Sequence, residues 1–318
     1  MKQKKTKLAV FTVVLAGLVT FAMLFAVGGR GQSQAGARSA AVAAVQPFVE
    51  KRTDVAAAAP EKKETSLFAE AAARNTALKY ELGWAFGGKQ QRGWYLYTPL
   101  ISRTIETDDE AAGPEFASAL SRWQKAAGLP ASGVLDGETL YQMVSTWQGA
   151  RLKNKEYATP DSLLTAPVAD FYNPSRPDAL RQVERETYAA YKRMVAAAAA
   201  DPTSGLKVNA SGELAPEEKF LKIVSSFRSR EHQAALRAQS PGSGRAGLAV
   251  NSPHFTGRAL DLYVGGEPVE TKDANRALQV QTPAYRWLVR NADKFGFRPY
   301  YYEPWHWEYV GNATVAAK

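Results

Sequence analysis

The chain has 318 residues, a formal net charge of +9 and no cysteine. This length allows about two domains with additional segments, and the lack of cysteine excludes disulfides, thiolate metal ligands and a lipidated cysteine. The positive charge suits an anion-rich partner such as a cell wall or a membrane surface, although a basic soluble protein has the same property. No base-stacking or groove-reading motif accompanies the charge, so we predict no nucleic-acid partner.

Residues 1–30 carry the pattern of a membrane anchor or a signal peptide. Lysine-rich residues 1–7 precede an uncharged apolar run from Leu8 to Val27. A helix of this length, at about 1.5 Å per residue, spans the roughly 30 Å hydrocarbon layer of a bilayer. The lysines predict a cytoplasmic N terminus and an extracytoplasmic remainder in a single-pass protein. The alternative is a cleaved signal, because Ala35–Ala37 resembles a cleavage site, and cleavage would give a secreted protein.

Residues 31–75 predict a linker. The interval is rich in alanine and poor in large apolar side chains, so most of it lacks the material for a core. An amphipathic helical pattern begins near its end and runs from Ser66 to Tyr80, which predicts a packing helix.

Residues 76–150 predict a small, mostly helical module. Two aromatic segments, Leu82–Phe86 and Trp94–Tyr97, flank a glycine-rich loop and predict a hairpin. Apolar residues at helical spacing then predict one helix from Phe116 and a second helix that starts near Asp136.

Residues 151–177 contain several prolines and predict an irregular linker, and residues 178–318 predict a compact α+β domain. The apolar periodicity of this domain changes repeatedly between helical and strand spacing. The predicted elements are a helix 178–200, a strand 221–227, a helix 231–238, a strand 259–264, a helix 283–295 and a strand from 306. This order favours an antiparallel sheet with flanking helices.

Two of the three histidines lie in segments that also carry carboxylates, Ser252–Asp261 and Glu303–His306. Neutral imidazole and carboxylate oxygen are ligands that suit zinc. Two histidines, one aspartate and a separate glutamate are the parts of a catalytic zinc site, in which three protein ligands leave a position open for water. Strand alternation places Asp261 opposite the apolar face of its strand, and Gly257 permits a bend that folds His254 back over it. The third histidine, His232, is predicted to lie on the surface.

These segments resemble the motifs of the VanY-like D-alanyl-D-alanine carboxypeptidases, which are bacterial zinc peptidases acting on peptidoglycan. Residues 252–261 read Ser-x-His-x-x-Gly-x-Ala-x-Asp and residues 303–306 read Glu-Pro-Trp-His, so every fixed position is present. The resemblance implies that Zn²⁺ binds to His254, Asp261 and His306 and that Glu303 is the general base.

The resemblance extends upstream, where residues 225–233 are similar to the family's Ser-Gly-Tyr-Arg-Ser…Gln block. Serine and phenylalanine stand where the glycine and tyrosine of that block are usual, and Glu308 stands where a basic residue is common. We expect Arg228 to stabilise the oxyanion together with zinc, and its planar guanidinium can also bind a carbonyl oxygen or a carboxylate. The candidate substrate-binding residues are Ser226, Gln233 and Ser252, of which the last two could instead cap local backbone.

A second resemblance covers residues 116–148, which are similar to the small helical peptidoglycan-binding module. A Phe-Gln…Gly-Leu…Gly-Val-Asp…Thr sequence is typical of that module, and Trp123-Gln124 replaces Phe-Gln here. The resemblance implies wall binding, and a structural adapter beside the catalytic domain is the alternative.

Together the motifs predict a zinc-dependent carboxypeptidase that removes the terminal D-alanine from peptidoglycan stem peptides. We expect it at the bacterial cell membrane, held by its N-terminal helix, with the catalytic domain in the periplasm or cell wall. L,D-carboxypeptidases and peptidoglycan endopeptidases share the same zinc motifs, so both remain alternatives. A catalytically inactive wall-binding protein with a structural zinc is a further alternative, although structural zinc sites usually have four protein ligands.

Overall fold

The computed structural model of the protein describes residues 60–108, 113–239 and 251–311. The predicted membrane helix and most of the predicted linker 31–75 lie outside these residues. Within the described part of the chain, no helix combines the length and the apolar character that crossing a membrane requires. The described residues belong to one compact unit, and the predicted domain boundaries stay predictions.

The described residues form helices and antiparallel strands, which confirms the predicted α+β class. The helices are α1 (Pro60–Glu81), α2 (Thr98–Thr104), α3 (Pro114–Ala126), α4 (Gly137–Gly149), α5 (Arg185–Ala200), α6 (Arg230–Gln239), α7 (Asp273–Gln281) and α8 (Pro283–Asn291). The strands are β1 (Gly83–Phe86), β2 (Lys89–Arg92), β3 (Leu163–Thr165), β4 (Gln182–Glu184), β5 (Ile223–Ser225), β6 (Ala259–Leu262), β7 (Phe297–Tyr300) and β8 (Glu303–Tyr309).

The hairpin after α1 has a different second strand from the predicted one. Strand β1 pairs with β2, and the predicted strand Trp94–Tyr97 is wrong because Tyr95–Tyr97 forms a 3-10 turn. Gly87 and Gly88 both adopt positive φ, which permits a two-residue turn and starts the return strand immediately. Trp94 is fully buried instead and stacks on Phe116 of α3 with ring centroids 5.7 Å apart.

The start of α5 also differs from the prediction. We expected a helix from Asp178, but residues 182–184 form β4, which pairs with β3 inside the interval predicted as a linker. The carboxylate of Glu184 then accepts hydrogen bonds from the backbone N–H groups of Glu186 (3.1 Å) and Thr187 (2.8 Å). This side chain caps the helix, so α5 begins at Arg185.

A four-stranded antiparallel sheet in the order β5-β6-β8-β7 carries the candidate site. The apolar face of β6 is buried as predicted, with Leu260 and Leu262 fully inaccessible, but Asp261 on the other face is buried as well. These leucines belong to a buried apolar cluster that also contains Leu288 of α8 and Leu140 of α4. Helix α4 of the N-terminal half therefore shares one core with the sheet.

Candidate active site

Pairing between neighbouring strands brings together residues that are far apart in the sequence. Asp261 on β6 lies directly opposite His306 on β8 and opposite Ser225 on β5. His254 comes from a short 3-10 turn that ends at Gly257, where φ is +68°. Only a residue without a Cβ adopts this left-handed conformation easily, so the glycine permits the predicted bend. The ligand atoms of His254, Asp261 and His306 consequently lie within 4.8 Å of one another.

The imidazole of His254 is oriented by a backbone carbonyl. Its Nδ1–H donates to the carbonyl oxygen of Ser226 at 2.7 Å, and its Nε2 lies 3.3 Å from Oδ1 of Asp261. Burial lowers the pKa of His254 to about 4, and the nearby charge of Arg228 adds to this effect. The ring is therefore neutral, and its Nε2 lone pair faces a carboxylate oxygen. Two acceptors in this arrangement suit a cation placed between them.

The imidazole of His306 lies between two carboxylates. Its Nδ1 is 2.9 Å from Oδ1 of Asp261, and its Nε2 is 3.1 Å from Oε1 of Glu308. Burial alone would lower the pKa of His306, but the hydrogen bonds to Asp261 and Glu308 outweigh it and raise the pKa to about 9. Without a metal ion, both nitrogens carry protons at neutral pH. A metal ion on Nδ1 competes with the proton at that atom.

Asp261 is the carboxylate that both histidines share. It is 1% exposed, and burial opposes its ionisation, but the hydrogen bond from His306 and the charge of Arg228 hold its pKa well below the ordinary value. A permanently ionised carboxylate between two imidazole nitrogens is a donor set that zinc prefers. Each imidazole also has its outer nitrogen bound to an acceptor, as is usual for histidines that ligate metals. The three residues therefore fit a bound Zn²⁺.

Glu303 lies at the first position of β8 and is 5% exposed. Burial raises its pKa to about 7, although the charge of His306 opposes the shift. Its Oε1 is buried and has no hydrogen-bond partner among the described residues. A carboxylate with a free oxygen and a pKa near neutrality suits a general base.

Arg228 follows β5 and is bound to the protein through all three guanidinium nitrogens. Its Nη2 donates to Oδ2 of Asp261 at 2.7 Å and its Nε donates to Oγ of Ser225 at 2.9 Å. The contact of its Nη1 with Oε1 of Gln233 is longer, at 3.4 Å. Arg228 therefore fixes the orientation of Asp261, and its predicted role toward an oxyanion stays a prediction.

The three predicted substrate-binding residues all lie next to metal-site residues. Ser226 supplies the carbonyl that binds His254, and its Oγ is buried without a partner in the described part of the chain. The Oγ of Ser252 accepts from the backbone N–H of His254 at 3.3 Å, so this side chain caps the turn. Gln233 is 2% exposed and contacts Arg228. Their binding of substrate stays a prediction.

Two residues beside the site, Arg151 and Glu308, are not among the predicted site residues, although Glu308 was noted as a departure from the family's pattern. Glu308 is fully buried and binds His306, Arg151 and the backbone N–H of Leu152. Strand alternation could have indicated Glu308, which shares a face of β8 with His306. No local signal marks Arg151, which lies in the interval predicted as a linker.

Parts of the chain are similar to known families and to one curated protein. Residues 180–312 match the family model "VanY: D-alanyl-D-alanine carboxypeptidase", and residues 92–143 match the model "Putative peptidoglycan binding domain". The chain is also similar to "Putative carboxypeptidase YodJ" of Bacillus subtilis (strain 168), with 29% identity over 186 residues. That similarity covers 52% of this chain and 60% of the relative. Both predicted resemblances are therefore confirmed, but the match to the peptidoglycan-binding domain begins at residue 92, before the predicted start at residue 116.

Proposed function

We propose that the protein is a zinc-dependent carboxypeptidase that removes the terminal D-alanine from peptidoglycan stem peptides. The observation that carries the proposal is the buried set His254, Asp261 and His306 beside Glu303, whose carboxylate has a free oxygen. Three protein ligands and a separate carboxylate are typical of catalytic zinc sites, whereas structural sites usually have four protein ligands. This donor set disfavours the inactive wall-binding protein.

The mechanism uses the residues of the site as follows. His254, Asp261 and His306 would hold Zn²⁺, and the ion supplies a Lewis acid that polarises a carbonyl oxygen and acidifies water. Glu303 takes one proton from the attacking water as the new C–O bond forms. It then delivers this proton to the nitrogen that leaves when the C–N bond breaks. The proton and the bonding electrons therefore balance without another co-reactant.

Arg228 contributes to this mechanism through Asp261. Its bond to Oδ2 leaves Oδ1 of Asp261 directed at the two imidazoles. The guanidinium also places a permanent positive charge close to Glu303, whose pKa it lowers. We propose that the same charge stabilises the oxyanion that develops during attack.

Cleavage of defined peptides tests the specificity. We expect purified protein loaded with zinc to release D-alanine from a stem pentapeptide and to spare the same peptide with an amidated C terminus. An exopeptidase that recognises a free terminal carboxylate requires this difference, whereas an endopeptidase does not. Release from a tetrapeptide but not from the pentapeptide would replace our proposal with an L,D-carboxypeptidase, and cleavage inside a crosslinked dimer would favour an endopeptidase. No cleavage of any of these substrates would overturn the proposal.

The match of residues 92–143 to the peptidoglycan-binding domain supports an additional contact with the cell wall. We propose that this interval binds peptidoglycan and that the apolar run 8–27 holds the protein at the membrane. Sedimentation with insoluble peptidoglycan, compared for the wild type and a metal-stripped sample, tests wall binding independently of catalysis. A reporter fused after Lys318 tests the topology, since we expect activity only from an extracytoplasmic reporter.

A further inference from the structure

Glu308 is a fully buried carboxylate that connects a metal ligand to a distant part of the chain. Its Oε1 accepts from Nε2–H of His306 at 3.1 Å and also from Nη2 of Arg151. Its other oxygen, Oε2, accepts from the backbone N–H of Leu152 at 3.0 Å. Both carboxylate oxygens of Glu308 are therefore hydrogen-bonded. His306 and Arg151 share Oε1, and the backbone of Leu152 binds Oε2.

Arg151 is itself held from two sides. Its Nη1 donates to Oε1 of Gln148 on α4 at 2.7 Å, and its guanidinium lies 4.1 Å from the ring centroid of Tyr300 on β7. Its side chain is only 17% exposed. Arg151 and Leu152 lie between the two matched regions, residues 92–143 and 180–312, and belong to neither.

The geometry has a direct consequence for His306. A histidine that donates its outer N–H to a carboxylate has a fixed tautomer, a fixed ring orientation and a more basic ligating nitrogen. A buried carboxylate needs further hydrogen bonds and an opposite charge to stay ionised. Arg151 supplies the charge, and its planar guanidinium holds the carboxylate more rigidly than a flexible ammonium would.

We propose that Arg151 is a positioning residue for the metal ligand His306, acting through Glu308. This inference rests on the proposed zinc site, which it extends with a residue outside both matched regions. A purely structural role is the rival explanation, in which Arg151 only joins α4 to β7. The two explanations differ in one expectation. If Arg151 positions His306 through Glu308, replacing Arg151 has no further effect on zinc affinity once the Glu308 carboxylate is lost. If its role is structural, replacing Arg151 has the same effect with or without that carboxylate.

Zinc affinity separates the two explanations without any measurement of catalysis. The full-length chain is stripped of metal and titrated with Zn²⁺ in competition with a chromophoric chelator. We expect Arg151→Met to weaken zinc binding about 10-fold or more, as is typical when the partner of a ligating histidine is lost. Arg151→Lys should recover part of this loss, because an ammonium restores the charge but not the planar contact. Arg122→Met is the control, since Arg122 is exposed on α3 and its Nη1 donates to Oγ of Ser118 on the same helix.

The decisive variant combines Arg151→Met with Glu308→Gln. If Arg151 acts through Glu308, the double variant binds zinc about as weakly as Glu308→Gln alone, so the two effects are not additive. A full additional loss in the double variant would overturn the proposal in favour of a structural role. Wild-type affinity in Arg151→Met would also overturn it, while leaving the zinc site intact. If the wild type itself binds no zinc, the proposed function fails together with the inference.

The visible spectrum of the Co²⁺-substituted protein provides a second readout. A reoriented His306 changes the ligand geometry, and we expect Arg151→Met and Glu308→Gln to shift the Co²⁺ absorption in the same way. An unchanged spectrum in Arg151→Met would contradict the inference. Near-ultraviolet circular dichroism checks the fold of each variant. If Arg151→Met does not fold, the Co²⁺ spectrum of Arg151→Lys is compared with that of Glu308→Gln instead.

Discussion

Asp261 and His306 face each other across β6 and β8, and Oδ1 of Asp261 lies 2.9 Å from Nδ1 of His306. The register of two strands therefore places a carboxylate and an imidazole in contact although 45 residues separate them. His254 reaches the same oxygen from the turn before β6, with Nε2 at 3.3 Å. The convergence of these three residues thus depends on strand pairing and on one glycine turn.

Removal of a metal ligand should remove the metal. We expect His254→Ala and His306→Ala to lose bound zinc, because the two remaining ligands cannot complete the site. His232→Ala is the matched control and should retain it, since His232 on α6 is not part of the convergent set. Metal content is measured on purified protein by elemental analysis. Full occupancy in either ligand variant would remove that residue from the site.

Glu303→Gln should separate metal binding from catalysis. The amide keeps the shape of the side chain but cannot accept a proton, so we expect the turnover number to fall about 10²–10⁴-fold or more. Zinc content and circular dichroism should match those of the wild type, because Glu303 is not one of the three ligands. Turnover close to that of the wild type would exclude Glu303 as the base.

The same substitution has a pH-dependent effect on the stability of the metal-free protein. The pKa of Glu303 is about 7 in the folded state and has an ordinary value of 4.5. Below 4.5 the carboxyl is protonated in both states, and above 7 it is ionised in both. Between these values only the unfolded state ionises, so the folded state loses stability as pH rises, by at most about 3 kcal/mol.

Glu303→Gln cannot ionise and avoids this loss. We expect the metal-free variant to have a higher free energy of unfolding than the wild type at pH 8 and an equal one near pH 4. Urea unfolding at several pH values measures the difference. A difference that does not change with pH would show that burial does not raise the pKa of Glu303.

Zinc binding should release a proton from His306. In the metal-free protein the pKa of His306 is about 9, so Nδ1 is protonated at pH 7, whereas His254 with a pKa of about 4 is already neutral. We expect about one proton to be released per zinc ion at pH 7, and fewer as the pH rises through 9. Calorimetry in two buffers of different ionisation enthalpy measures the release, and the Glu303→Gln background removes the contribution of that carboxyl. No release at pH 7 would show that His306 is neutral.

The sequence was sufficient to predict that His254, Asp261 and His306 converge, because these residues lie in short contiguous motifs. Strand alternation around Asp261 and His306 follows from local spacing, and the positive φ of Gly257 confirms the bend proposed before β6. Glu308 could have been predicted from the same alternation. Its partner Arg151 could not, because the contact joins residues 157 positions apart and no periodicity marks it.

Contacts between distant segments also explain the secondary structure that was missed. Helix α7 is polar on average, and Arg276 on this helix is 2% exposed. Its Nη1 binds Asp273 at 3.0 Å, and its Nη2 donates to the hydroxyl of Tyr97 at 2.8 Å. Tyr97 lies 179 positions away and forms part of the segment wrongly predicted as a strand. This contact therefore joins the helix that was not predicted to the segment that was predicted wrongly, and local propensity does not contain it.

Gly257 should be required for both stability and metal binding. Its φ of +68° is unfavourable for any residue with a Cβ, and a Cβ here would lie 2.8 Å from Cδ2 of Leu163 and 3.0 Å from the backbone nitrogen of Glu184. Gly128 has a similar φ of +73°, but a Cβ there meets no atom within 4 Å. Gly128→Ala therefore measures the backbone cost alone, about 1–2 kcal/mol.

We expect Gly257→Ala to cost at least about 1 kcal/mol more than Gly128→Ala, because β3 and β4 must shift to make room for the new methyl group. Urea unfolding of both metal-free variants measures the difference in their free energies of unfolding, provided that the two have the same dependence on urea concentration. The backbone N–H of Gly257 donates to the carbonyl of His254 at 3.2 Å, so the shift should also displace the first zinc ligand. Zinc affinity should therefore fall in Gly257→Ala and stay unchanged in Gly128→Ala. Equal stability of the two variants would show that the turn accommodates a Cβ, and unchanged zinc affinity would show that His254 does not depend on it.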